Sequence, residues 1–269
     1  MSLGGMIRNT VDTFSLSYFM RMCLFRWNVL RYQLSNNRFK KNNPWFPMPP
    51  DSLLFETGSL HYHSYQNSGQ EAAAEIVSLC KVFSNSPIQS ILDWGCGVGR
   101  VTRHLPTHFP NANIVGADAN PDCIQWLQNN IPEIQWIQSN AADRGETLFG
   151  KYDLIIALSV LTHLPASEQA NWLNILHSLL NPQGLVWLST HGKTYLHQIT
   201  HQQKKQLSEQ GILTLGADKK GSRQMRTYHS YSGMKQLLGQ DWEIVMYYDG
   251  QKFPGILGGQ DAWLLKKLR

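Results

Sequence analysis

The sequence predicts an α/β protein built on an open, mostly parallel β-sheet with helices on both faces. Three observations point there. From residue 88 onward, short apolar runs alternate with helix-length amphipathic runs, the pattern of repeated βαβ units. One run, Tyr152–Leu158 (YDLIIAL), is continuously apolar, as expected of a central parallel strand covered on both faces. A glycine-rich turn at residues 95–99 directly follows the first run, where a strand hands over to a helix.

The elements follow in order. Met1-Ser-Leu-Gly-Gly-Met6 reads as an added tag ahead of a start at Met6. Residues 1–50 are expected to form a helical, basic extension. Within it Phe14–Leu34 is rich in Phe, Met, Leu and Trp, and Arg21, Arg26 and Arg31 interrupt it at five-residue spacing. That spacing scatters the charges around a helix, which then lies on a membrane surface, on another protein, or on the chain's own body. No run of about eighteen uncharged apolar residues exists, so a spanning helix is not expected. Pro44, Pro47, Pro49 and Pro50 make 44–51 a rigid connector, and the main domain is expected over 51–269.

Gly69–Phe83 reads as a helix, with Ala72, Ile76, Leu79 and Phe83 on one face. Ser90–Asp93 is the first strand. Val98–Leu105 is a short helix that Pro106 ends or kinks. Asn113–Asp118 is the second strand, Pro121–Asn130 a helix with proline at its first position, and Glu133–Gln138 the third strand. After the apolar run at 152–158, Ser167–Leu180 is a helix that Ser167 can cap. Asn181–Gly184 is a turn and Leu185–Ser189 the fifth strand. Residues 192–229 are a polar, basic insertion of ambiguous helix content. Ser230–Leu238 is a helix, and Trp242–Tyr248 and Ala262–Lys267 are strands joined without a helix, which suggests an antiparallel hairpin at the sheet edge.

Composition supports a folded core: 42% of residues are apolar and 16% charged, outside the range of disordered chains. The net charge of +5 is uneven. Residues 1–50 hold seven bases against one acid and residues 192–229 seven against two, while the rest is acidic. Two basic additions on an acidic body suit an anionic partner or are solvated surface. The four cysteines form no CxxC pair, which fits a reducing, cytoplasmic setting. The histidine pairs 61/63, 104/108 and 197/201 lack a nearby third ligand, so no metal is expected.

The chemistry concentrates in Ile91–Arg100 (ILDWGCGVGR). Gly95, Gly97 and Gly99 allow close backbone approach to a ligand, and amides at the following helix terminus are expected to face it. Dinucleotide-binding turns also use glycines, but they place Gly or Ala where this chain has Arg100. Asp93, just before the turn, repels a pyrophosphate and suits a cationic ligand. Asp118 ends the second strand, where a carboxylate accepts both hydroxyls of an adenosine ribose. A sulfonium nucleoside, S-adenosylmethionine, meets all of these conditions.

The stretch from about Pro49 to Lys267 resembles the class I S-adenosylmethionine-dependent methyltransferases. It is most similar to bacterial members that carry DxGCGxGR, GxDxxxxxIxWxxxN, SVxTHL and a late QD, here at 93–100, 116–129, 159–164 and 260–261. The resemblance implies a Rossmann-like sheet of seven strands with the last antiparallel. It also implies that Asp93, Gly95, Cys96 and Gly97 line the methionine part of the cofactor, although Cys96 itself reads more simply as a small space-filler. Asp118 would take the ribose, with Ala119 beside the adenine. Asn140 and Ala141 would read the adenine edge, with Asp143 a competing assignment, and Ser159 would be a further contact. Arg100 would meet the cofactor carboxylate or the acceptor.

Methyl transfer needs a general base only for hydroxyl or protonated amine acceptors. His163 and His191 follow the fourth and fifth strands, where an acceptor in an open α/β sheet sits, and are the catalytic candidates. Tyr195, Tyr228 and His229 flank the basic insertion and are weaker candidates for the same mouth. The expected acceptor is a small molecule or a glycan- or lipid-linked compound. A non-catalytic cofactor-binding regulator and a nucleic-acid methyltransferase are the alternatives. No NPPY-like tetrad follows the fourth strand, where the chain reads ALSVLTHL, and that counts against amino methylation of nucleic acid.

Overall fold

The computed structural model describes residues 3–139, 147–217, 225–252 and 257–268, with side chains from residue 19 onward except Thr57. The chain divides into two compact units, Met1–Gln66 and Asn67–Arg269. In the first unit, α1 spans Leu3–Asn42 and α2 Asp51–Thr57, followed by the start of α3, which runs Tyr62–Phe83. The proline-punctuated stretch before α2 carries no regular secondary structure from residue 47 to 50 and lies inside the first unit.

The second unit is a seven-stranded sheet in the order β3-β2-β1-β4-β5-β9-β8. Its strands are β1 Ser90–Trp94, β2 Asn113–Asp118, β3 Gln135–Gln138, β4 Tyr152–Ala157, β5 Leu180–Thr190, β8 Trp242–Tyr248 and β9 Asp261–Lys267. Neighbours from β3 to β5 pair in parallel, and β9 pairs antiparallel with both β5 and β8. The final strand therefore inserts between β5 and β8, and it alone is reversed. This is the Rossmann-like sheet of mostly parallel strands that the sequence predicts.

Successive residues alternate between two cores, as pleating requires. Ile91, Leu154, Ile156, Trp187 and Leu264 face one side, where Ala72, Ile76 and Cys80 of α3 and Leu127 of α5 (Pro121–Asn130) cover them. Leu92, Ile155, Val186 and Leu265 face the other, under Trp172 and Leu176 of α6 (Ala166–Leu179) and Met234 and Leu238 of α8 (Tyr231–Leu238). Residues 201–229 add α7 (His201–Gln210) and a small antiparallel pair, β6 (Ile212–Leu215) with β7 (Arg226–His229). The insertion of ambiguous helix content is thus a folded cap, with its own cluster of Ile199, Leu207, Leu213 and Tyr228.

Three local expectations need correction. The helix expected over Val98–Leu105 is a turn, a 3₁₀ segment at Thr102–His104 and a four-residue α4, Leu105–His108. Gly99 adopts φ 72°, which no right-handed helix accommodates, and Pro106 cannot donate a helical bond. Ser167 does not cap α6, since Pro165 occupies the cap position and no side-chain bond is made there. The turn at 181–184 lies inside β5 as a bulge, where pairing jumps from Tyr152–Leu180 to Leu154–Leu185 and Gln183 takes φ 65°. Among the described residues no helix is long and apolar enough to cross a membrane.

Candidate active site

Parallel pairing of β1 and β2 places Asp93 opposite Gly116 and Trp94 opposite Ala117. Both strands therefore deliver a carboxylate to the same edge of the sheet, Asp93 near the end of β1 and Asp118 at the end of β2. Between them the chain turns through Gly95, Gly97 and Gly99, at φ 78°, 56° and 72°. These left-handed conformations are open to glycine and strained for other residues. A β-carbon on Gly95 would also lie 2.4 Å from Val160 Cγ2.

The turn satisfies its own amides. Gly95 N and Cys96 N donate to Ala117 O at 2.7 and 3.0 Å, and Gly99 N donates to Cys96 O at 2.9 Å. Gly97 N donates to Asp118 Oδ2 at 2.7 Å, while Asn120 N donates to Asp118 Oδ1 at 2.8 Å. These bonds lock the turn and orient the Asp118 carboxylate. Cys96 is buried in the core, its Sγ 3.3 Å from where a β-carbon on Gly116 would lie, and burial pushes its thiol pKa well up.

Asp93 is buried and Asp118 half-buried. Burial raises the Asp93 carboxyl to about 6, against the lowering pull of a hydrogen bond from Thr102 Oγ1 and of Arg100, and nearby Asp118 raises it further. Burial raises Asp118 as well, moderated by the bonds from backbone at Asn120, Gly97 and Ala119. A cationic ligand that also brings hydroxyl donors relieves both costs. The donor set thus fits S-adenosylmethionine, whose sulfonium and ribose match the paired acids.

Arg100 lies against the start of α3: its Nη1 donates to Ser68 Oγ at 3.3 Å. Gly69 approaches so closely that a β-carbon there would sit 2.1 Å from Arg100 O. Ala119 follows Asp118 in a bend. Asn140, Ala141 and Asp143 lie outside the described residues.

Ser159, in the turn that follows β4, takes a left-handed conformation, φ 61°, which costs a non-glycine residue strain. Its amide donates to Ser189 Oγ at 2.8 Å, and the side-chain amide of Gln260 bonds both serine hydroxyls, at 2.8 Å to Ser159 and 2.6 Å to Ser189. Gln260 thus ties the ends of β4 and β5 together, a role that Ser159 alone does not reveal in sequence. The QD dipeptide before the last strand was the available signal.

A second cluster lies at the ends of β4 and β5. His163 Nδ1 is 3.1 Å from Met225 O and donates to that carbonyl. The His191 ring lies 6.5 Å from that of His163 and stacks at 4.3 Å on Tyr195. His191 is 8% exposed, and its Nδ1 has no protein partner. Burial lowers its pKa to about 4, helped by His163 and Arg226, so the ring is neutral at pH 7.

His229, by contrast, is structural. Its Nε2 is 2.8 Å from Gln169 Oε1, and Gln169 Nε2 donates to Leu161 O and Leu164 O at 2.9 and 3.1 Å. Burial lowers the His229 pKa to about 3. Thr227 Oγ1 adds a bond to Leu164 O at 2.7 Å. Tyr228 is fully buried in the cap cluster. A groove bounded by Lys81, Ser86 and His108 belongs to the loops that precede β1 and β2, at the opposite edge from both acids.

The fold is the Rossmann-like one of methyltransferases, and comparisons with known proteins agree. Residues 63–238 match the family described as methyltransferase domain. This chain belongs to that S-adenosylmethionine-dependent class I family. Malonyl-[acyl-carrier protein] O-methyltransferase of Halalkalibacterium halodurans is 31% identical over 118 residues, 41% of this chain and 42% of that protein. Trans-aconitate 2-methyltransferase of Escherichia coli is 30% identical over 122 residues, 45% of this chain and 47% of that protein. The chain thus spans less than half the length of these curated relatives. Among solved structures, magnesium protoporphyrin IX methyltransferase of Synechocystis superimposes with a TM-score of 0.54 at 16% identity, covering 90% of this chain and 98% of that one. DesVI of Streptomyces venezuelae gives 0.57 at 14% identity, covering 78% and 96%. These two likenesses speak for the fold.

Proposed function

We propose that this chain transfers the methyl group of S-adenosylmethionine to a small-molecule acceptor, free or linked to a glycan or lipid. The observation that carries the reading is the clamp in which Gly97 N holds Asp118 at 2.7 Å beside the buried Asp93. The bound cofactor supplies an activated methyl on a positively charged sulfur. Asp118, fixed by two backbone amides, accepts the ribose hydroxyls with its remaining lone pairs, beside Ala119. Asp93 offsets the positive charge, with Gly95 and Gly97 shaping the floor and Arg100 and Ser159 at the rim. Asn140 and Ala141 follow β3, where the adenine edge would be read.

The acceptor then sits beyond β4 and β5, under the cap. His163, its Nδ1 bonded to Met225 O, takes the proton of a hydroxyl or ammonium acceptor. His191, held neutral by burial, is too weak a base for that task and instead receives a hydrogen bond on Nδ1. The named substrates of the relatives, trans-aconitate and malonyl-[acyl-carrier protein], support a small or carrier-bound acceptor.

The test is release of S-adenosylhomocysteine on incubation with a panel of small acids, amino sugars and a small-molecule extract. Turnover is expected with some member of the panel, and His163→Gln should cut kcat about 100-fold for a hydroxyl acceptor without changing cofactor affinity. Tight cofactor binding with no turnover on any acceptor would leave a binding module instead.

A further inference from the structure

Helix α1 has two faces of different fate. On one, Phe25 meets Phe55 at 5.2 Å, Phe39 edges onto Tyr62, and Asn36 Nδ2 donates to Leu60 O at 2.8 Å, all within the first unit. On the other, Phe19, Met20, Leu24, Trp27, Leu30 and Leu34 are 53% to 85% exposed. At about 100° per residue these six fall within an arc of about 140°, opposite the packed side chains. An exposed apolar stripe of this kind marks a surface that some partner covers.

Charge selects the partner. Every charged residue from 19 to 42 is basic: Arg21, Arg26, Arg31, Arg38, Lys40 and Lys41. Arg21 is paired with Glu56 of α2, but Arg26 and Arg31 are exposed, Arg26 just outside one margin of the stripe and Arg31 within the other margin. A second copy of α1 laid along the stripe would set arginine against arginine, which disfavours self-pairing. A nucleic acid would meet the charges but leave the leucines in water. An anionic lipid surface satisfies both. The Arg31 guanidinium lies 5.0 Å over the Trp27 ring, a cation–aromatic pair suited to headgroup depth. No described helix is long and apolar enough to span, so the contact is interfacial.

We propose that residues 19–41 of α1 lie in the interface of an anionic bilayer, apolar stripe inward and arginines at phosphate level. The experiment is flotation of the full chain with vesicles of phosphatidylcholine alone and with about 30% phosphatidylglycerol, a level that gives a markedly negative surface. At least tenfold more protein should float with the anionic vesicles, and the difference should shrink with salt. Leu30→Glu with Leu34→Glu should lose at least tenfold of that binding, and Arg26→Gln with Arg31→Gln at least threefold. Each variant should retain helix content and unchanged affinity for S-adenosylhomocysteine, which separates lost docking from lost folding.

Four outcomes would overturn the proposal. The folded chain could fail to float at low salt, or the double glutamate variant could float as the parent does. Light scattering could also show a dimer that the same variant dissolves, without vesicle binding, which would assign the stripe to a second copy. Binding of a plain RNA oligomer, lost with the arginine variant while vesicles are ignored, would likewise assign it elsewhere.

Discussion

The two halves of the ligand-facing edge are assembled by different means. Around β1 and β2 the cofactor half is built from backbone: three left-handed glycines and four amides that bond within the turn or to the end of β2. Around β4 and β5 the half proposed for the acceptor is built from side chains that reach across the fold. His163 meets Met225 sixty-two residues away, and His229 meets Gln169 sixty residues away. The first half can do little but bind one kind of ligand. The second can be re-cut by changing the cap while the sheet stays the same, which is how loops on a rigid scaffold vary function.

The sharpest way to break this contrast is at Gly95. Gly95→Val adds a side chain at φ 78° and drives it into Val160, so affinity for S-adenosylhomocysteine should fall more than 100-fold by calorimetry. A variant that still binds normally would show that the turn does not shape the pocket.

Gln169→Ala probes the other half. It removes three buried hydrogen bonds and leaves His229 unpartnered, which should cost about 3 kcal/mol in denaturant unfolding. Cofactor affinity should stay within about threefold, since sites without shared partners behave nearly independently. Loss of both together would mean the halves are one cooperative structure.

Asp118→Ala and Asp93→Ala should each weaken S-adenosylhomocysteine binding at least tenfold, about 1.4 kcal/mol or more. Asp118→Ala should be the larger, because it also releases the Gly97 amide.

The smallest effect is a pH dependence that distinguishes the sulfonium from its demethylated product. Asp93 has its carboxyl raised to about 6, so lowering the pH from 7.5 to 5.5 protonates it and removes the charge that faces the sulfonium. The affinity ratio of S-adenosylmethionine to S-adenosylhomocysteine should therefore fall about threefold over that interval. The linked stability effects have opposite signs. A carboxyl raised in the folded state favours folding as pH falls through 6 towards its ordinary value. His191 and His229, lowered to about 4 and 3, bind protons only when unfolded and so disfavour folding as pH drops below about 6.5. A ratio that does not move with pH would remove Asp93 from the sulfonium's surroundings.

The sheet was largely legible in the sequence because its strands are apolar runs whose alternation is dictated by pleating, as with Ile91 and Leu92 facing opposite cores. Position within the sheet was less so. β9 slots between β5 and β8 because apolar side chains on both of its faces, Trp263 and Leu264 among them, are wholly buried, and an edge position would expose them. The helix expected after the glycine turn failed because a local propensity was overridden by the conformation Gly99 needs, and no periodicity signals that. The seven-residue α2 and the seven residues that extend α3 before Gly69 also went unread, since 51–68 mixes polar and aromatic residues without a clear period.

Residue identity by itself determined the cofactor half: glycines admit the left-handed turn, and parallel pairing of two adjacent strands then brings Asp93 and Asp118 to one edge. Those constraints act over short separations, so spacing along the chain encodes them. Only the tertiary structure decided that Gln260 bridges Ser159 and Ser189, that His229 meets Gln169 while His163 meets Met225, and which side of α1 faces solvent. Each of these depends on groups that meet after the chain has folded, where burial and partner geometry, rather than sequence distance, set the energy.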